Sequence, residues 1–142
     1  MGIPLEPVSG STARAKWRIL VVDDDPNNTH LVKILLEKSG PYVVLEENFD
    51  TQAYQAACSF KPDLVLLDVI MQGLDGGNVA AQIEADNELR GTPIIFLTGL
   101  ITKAEAREGL HIEGRPALAK PINIPELIEA IETELHQHSH SV

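Results

Sequence analysis

Short apolar runs recur along the chain, and each stops at a polar residue. Ile19-Leu20-Val21-Val22 runs into Asp23-Asp24-Asp25, Leu64-Val65-Leu66-Leu67 into Asp68, and Ile94-Ile95-Phe96-Leu97 into Thr98. A shorter segment, Ala117-Leu118-Ala119, ends at Lys120-Pro121. Unbroken apolar runs of this length, without alternation, predict strands buried on both faces, as in a parallel sheet.

The intervening stretches carry helical periods. Strand one is expected at about Arg18–Asp23, followed by a helix opened by Pro26, with Leu31, Ile34 and Leu35 as its buried stripe and Gly40-Pro41 as its end. Tyr42–Leu45 is β-branched and short, and Thr51–Phe60 is an alanine-rich helix stopped by Lys61-Pro62. Strand three covers Asp63–Asp68, Gly73 to Gly77 is a loop, and Val79, Ala80 and Ile83 mark the inner face of a third helix. Strand four runs from Pro93 to Leu97 or Thr98, a short polar helix lies near Thr102–Glu108, and strand five is Ala117–Ala119. Asn123-x-x-Glu126 forms a capping box for a last helix that places Leu127, Ile128, Ile131 and Leu135 on one face. Five strand–helix units at this pace predict a doubly wound α/β fold with right-handed crossovers.

Ligands of such sheets bind outside the carboxyl ends of the strands. Asp23, Asp24, Asp68, Thr98 and Lys120 therefore share one edge. Magnesium prefers oxygen ligands and takes one or two carboxylates together with waters and a phosphate. Three carboxylates repel one another unless a cation joins them. Asp68 is the candidate nucleophile, because a carboxylate can accept a phosphoryl group as an acyl phosphate. Lys120 offers a compact cation and Thr98 a hydroxyl donor for the phosphoryl oxygens. Asp23–Asp25 alone would read equally well as a solvated helix N-terminus, with Asp25 as an N-cap; the register with Asp68, Thr98 and Lys120 favours the site.

The 142 residues suit one domain, and 44% hydrophobic against 23% charged residues suit a globular one. Met1 to Lys16 reads as a flexible leader, 17–137 as the domain and 138–142 as a disordered tail. A net charge of −10 disfavours direct nucleic-acid binding. One cysteine, Cys58, leaves no internal disulfide and suits a reducing compartment, and no stretch approaches a membrane span, so a cytoplasmic location is expected. Cys58 reads as a small core residue, Trp17 as packing at the start of strand one, and His136, His138 and His140 as a polar tail rather than a metal clasp. The Gly73–Gly77 loop lacks the lysine and spacing of a nucleotide-binding loop.

The segments Ile19–Pro26, Asp63–Met71, Phe96-Leu97-Thr98-Gly99 and Lys120-Pro121 together resemble the receiver domain of bacterial two-component response regulators, over about Trp17 to Gln137. The resemblance implies a flavodoxin-like five-stranded parallel sheet of order 2-1-3-4-5 with five helices. It implies that Asp68 accepts phosphate from a phosphohistidine on a histidine kinase or phosphotransfer protein. Asp24 would ligate Mg²⁺ directly, Asp23 mostly through water, with the Ile70 carbonyl completing the protein ligands. Thr98 would move toward the phosphoryl group, Lys120 would pair with it, and the Lys120-Pro121 bond would be cis. Output would pass by protein contact to an unknown downstream partner through the fourth helix, fifth strand and fifth helix, a face on which relatives also form homodimers.

Several positions depart from that family's pattern. Gln72 replaces a proline, Gly99 an alanine, and Ala117 the tyrosine or phenylalanine that turns inward in many receivers. Without that ring, the loop at Gly99 and Leu100 is expected to report the state. Ile70 and Leu100 are apolar where receivers often position hydrolytic water, which predicts slow self-dephosphorylation. Two alternatives compete: a pseudo-receiver that only binds partners, and a Mg²⁺-dependent phosphatase of haloacid-dehalogenase type, suggested by Asp23-x-Asp25 but lacking the downstream acidic pair of those enzymes.

Overall fold

In the computed structural model, residues 16–68, 76–99, 111–112 and 115–139 are described. The elements run β1 (Trp17–Val22), α1 (Pro26–Ser39), β2 (Tyr42–Glu47), α2 (Asp50–Phe60), β3 (Leu64–Asp68), α3 (Gly76–Ala85), β4 (Ile94–Thr98), β5 (His111–Ile112), β6 (Arg115–Ala119) and α4 (Ile124–Ser139). The sheet order is β2-β1-β3-β4-β6-β5. The first five strands of that order are parallel, and β5 adds a two-residue antiparallel edge against β6. The expected 2-1-3-4-5 order is therefore present, with β6 as its fifth strand. The helix expected near Thr102–Glu108 lies outside the described residues.

Alternation along the strands builds two cores. Leu20, Val22, Val65, Leu67 and Phe96 face α2 and α3 residues such as Ala53, Ala57, Val79 and Ile83. Ile19, Val21, Leu64, Leu66 and Leu97 face α1 and α4 through Val32, Leu36, Leu127 and Ile131. Both faces of β3 are covered, which explains why Leu64–Leu67 is continuously apolar.

The helix ends follow local chemistry. Asp25 Oδ1 accepts the Asn27 N–H at 2.9 Å, and Pro26 follows at the first turn, where its missing N–H costs nothing. Gly40 closes α1 by donating to Leu36 O at 3.2 Å. Lys61 ends α2 in the left-handed region, with φ 51°. Asn123 Oδ1 accepts the Glu126 N–H at 3.0 Å, forming the Asn123 half of the expected box. The final helix continues through His136 and His138 to Ser139, further than the polar sequence suggests.

The buried stripe of α1 differs from expectation. Leu31 and Ile34 are 55% and 36% exposed, whereas Val32 and Leu36 are buried. Five apolar residues between Leu31 and Leu36 are interrupted only by Lys33, so two overlapping helical stripes compete in the sequence, and the packing against β1 and β2 selects the second. The flank of α1 beside β2 carries Lys33 and Glu37, paired at 2.8 Å. Together they occupy the open edge of β2: Val44 N–H donates to Glu37 Oε2 at 2.9 Å, and Lys33 Nζ donates to Val44 O at 3.0 Å. Edge strands with free backbone groups invite pairing with other chains, and this ion pair blocks that edge.

Candidate functional site

The strand order reverses between β1 and β3, and the polar edge residues gather there. Val22 pairs with Leu67, so Asp23 and Asp68 follow one step beyond on adjacent strands. One oxygen from each of Asp23, Asp24 and Asp68 lies within 4.8 Å of the others. Asp23 and Asp68 are buried and Asp24 is exposed, so the cluster is walled on the protein side and open on the other.

Lys120 completes the arrangement. Its Nζ donates to Asp23 Oδ2 at 2.7 Å and lies 3.4 Å from Asp68 Oδ2. Burial opposes its charge, but the hydrogen bond and charge of Asp23, with Asp68 beyond, raise its pKa above the ordinary lysine value, so the ammonium persists at neutral pH. The Lys120 N–H donates to Thr98 O at 2.8 Å, and the Lys120-Pro121 bond is cis. Thr98 is buried at the end of β4, one residue past Leu97, which pairs with Asp68.

Asp23 is held from several directions. Oδ1 accepts the Asp25 N–H at 3.0 Å, and Oδ2 faces the Asn28 amide at 3.5 Å as well as Lys120. Its backbone N–H donates to Glu47 O at 3.1 Å, and its carbonyl accepts from Asn48 Nδ2 at 2.8 Å.

The fold thus brings Asp23, Asp24, Asp68 and Lys120 together and sets Thr98 on the adjoining strand. Ile70, Gln72 and Leu100 lie outside the described residues, as do the Gly73–Asp75 part of the glycine loop and His140. A methyl group built on Gly99 would meet nothing within 4 Å, so space does not require glycine there. Ala117 is buried beside Phe96, its partner in the β4–β6 register. Trp17 and Cys58 pack, partly buried, against the two cores, while His136 is exposed on α4. Asn28 and Asn48 escape sequence reasoning; their one signal is position, since both sit at the same carboxyl edge as the acids.

The family model of the response regulator receiver domain matches residues 19–132. The chain belongs to that family. It is similar to Protein PilH of Pseudomonas aeruginosa, 33% identical over 118 residues that cover 83% of this chain and 97% of PilH. The polar-differentiation response regulator DivK of Brucella anthropi is 31% identical, covering 82% of this chain and 94% of DivK. The DNA-binding response regulator MtrA of Mycolicibacterium smegmatis is 33% identical over 87% of this chain, which spans only 52% of MtrA. Among solved structures, a putative response regulator from Chloroflexus aurantiacus superimposes with TM-score 0.73 at 25% identity, over 85% of this chain and 98% of that one. The N-terminal domain of a response regulator receiver protein from Methanoculleus marisnigri gives TM-score 0.61 at 32% identity, over 82% and 94%. The protein is thus a two-component receiver domain with the flavodoxin-like fold. Among the described residues, no helix is long and apolar enough to cross a membrane.

Proposed function

We propose that this receiver is a working phosphoacceptor. Asp68 takes a phosphoryl group from a phosphohistidine on a histidine kinase or histidine phosphotransfer protein, in the cytoplasm, and signals by protein contact rather than by catalytic turnover. The observation that carries the reading is the placement of three carboxylates within 4.8 Å of one another beside the Lys120 ammonium. An all-oxygen donor set of this charge fits a hard divalent cation. Asp23, Asp24, Asp68 and the Ile70 carbonyl would hold Mg²⁺, which when bound offsets charge on the phosphoryl oxygens.

The chain's own groups divide the remaining work. An Asp68 carboxylate oxygen attacks phosphorus as the phosphorus–nitrogen bond of the donor breaks. The bonding pair stays on the imidazole nitrogen, and Asp68 becomes an acyl phosphate. Lys120 lies close enough to Asp68 to pair with the new dianion, and Thr98 supplies a hydroxyl from β4. A groove of about 450 Å³, lined in part by Leu31, Leu35, Pro121 and Ile122, opens beside Lys120 and gives the donor an apolar seat near the carboxylates.

Transfer from a labelled phosphohistidine protein tests the reading. Label should leave the donor, appear on this chain with Asp68 intact, and be released by hydroxylamine as an acyl phosphate. Retention of all label on the donor, in the presence of Mg²⁺ and folded receiver, would favour a pseudo-receiver. Steady hydrolysis of a simple phosphate ester would favour a phosphatase.

A further inference from the structure

We infer that Asn48 is a positioning residue for the metal-binding turn, fixing the direction of Asp24 through the backbone of Asp23. The inference rests on the phosphoacceptor reading and extends it to a residue that touches neither the cation nor the phosphoryl group.

Asp23 N–H and C=O are both clamped by the end of β2. The N–H donates to Glu47 O at 3.1 Å, and the carbonyl accepts from the Asn48 amide at 2.8 Å. β1 ends at Val22, so the Asp23 carbonyl lies past the strand that would otherwise hold it. That carbonyl and the Asp24 nitrogen belong to one planar peptide group, so fixing the first orients the second. Asp24 needs this help. Among the described residues its carboxylate has no hydrogen-bond partner, and it is exposed, whereas Asp23 is tied by Asp25, Asn28 and Lys120.

Asn48 is itself aimed by a buried group. Its Nδ2 also donates to Thr29 Oγ1 at 2.9 Å, and Thr29 is fully buried. The Thr29 hydroxyl lies 3.0 Å from Glu46 Oε1 and 3.2 Å from Pro26 O. Both amide hydrogens of Asn48 are thereby used, which leaves the side chain one orientation. An aspartate, serine or alanine could not bridge these two acceptors with two donors.

Groups that orient metal ligands typically govern affinity by 10-fold to 100-fold. Calorimetric titration with Mg²⁺ alone should give Asn48→Ala a dissociation constant about 10-fold above wild type. Thr29→Val, which keeps the side-chain volume, should give a smaller increase, and the double variant should match Asn48→Ala, because the two act in series. With a small phosphodonor, Asn48→Ala should need about 10-fold more Mg²⁺ for half-maximal labelling, yet reach the wild-type rate at saturation. A general loss of structure would instead lower the saturating rate and track melting temperature.

Unchanged Mg²⁺ affinity in Asn48→Ala would overturn the inference, as would losses in the two single variants that simply add. Wild-type protein that binds no Mg²⁺ would overturn both the inference and the phosphoacceptor reading. Wild type that binds Mg²⁺ but accepts no phosphoryl group would count against the phosphoacceptor reading alone, and the calorimetric comparison would still decide the role of Asn48.

Discussion

Lys120 Nζ lies 2.7 Å from Asp23 Oδ2, across 97 residues of sequence. The contact joins the end of β6 to the end of β1 and places the Lys120 ammonium against the most buried of the three clustered acids. Removing Lys120 would leave the Asp23 charge buried without its strongest partner. An unsatisfied buried acceptor costs about 1–3 kcal/mol.

Lys120→Ala should therefore lose about 1–3 kcal/mol of stability in urea without Mg²⁺. At one fixed Mg²⁺ concentration that loss should shrink, because without the competing ammonium the cation binds the variant more tightly and so stabilises its folded state more. Equal losses with and without Mg²⁺ would show that Lys120 and the cation do not share the carboxylates. The raised Lys120 pKa means that the pair is complete below the ordinary lysine value and is lost only as pH rises through the raised one.

Glu37 supplies an acid-range prediction. The hydrogen bond from Lys33, then that from the Val44 N–H, holds its pKa below the ordinary 4.5. A depressed carboxylate stabilises the fold above its unfolded pKa and stops doing so as pH falls through its folded pKa. Wild type should be more stable than Glu37→Gln at neutral pH, and the gap should close under acid. Because the same pair blocks the edge of β2, Glu37→Ala should also self-associate more readily, which light scattering would detect.

Ala117 stands buried where many receivers carry a ring. It is 4% exposed and lies beside Phe96, which is fully buried. Ala117→Tyr should cost about 1–3 kcal/mol through overpacking. A variant as stable as wild type, measured by urea unfolding, would show that Phe96 yields space, and that an aromatic switch is sterically open to this fold.

We propose that the acyl phosphate is long-lived, because the side chains of Ile70 and Leu100 offer no polar atom to hold attacking water. Ile70→Asn should shorten its lifetime, as followed by loss of phosphoprotein after the donor is removed. A wild-type lifetime as short as that of fast chemotaxis-type receivers would contradict the proposal.

The strands and their terminal acids were legible because a parallel strand buried on both faces must be continuously apolar, so Asp23, Asp68 and Thr98 stand out where burial ends. Lys120 was legible from the same edge rule, although its contact with Asp23 is a tertiary fact. The α1 stripe was misread, since Leu31, Val32, Ile34, Leu35 and Leu36 fit two helical faces and only the sheet decides between them. β5 is too short to leave a periodic signal. Asn48 was invisible for another reason: its partners Asp23 and Thr29 lie 25 and 19 residues away, and hydrogen-bond complementarity has no period.

The most direct test of the account is intact mass after incubation with acetyl phosphate, with and without Mg²⁺, for wild type and Asp68→Asn. The account predicts one added phosphoryl group on wild type only when Mg²⁺ is present, and none on Asp68→Asn. A phosphoryl group that appears on Asp68→Asn to the same extent, or without Mg²⁺, would contradict it.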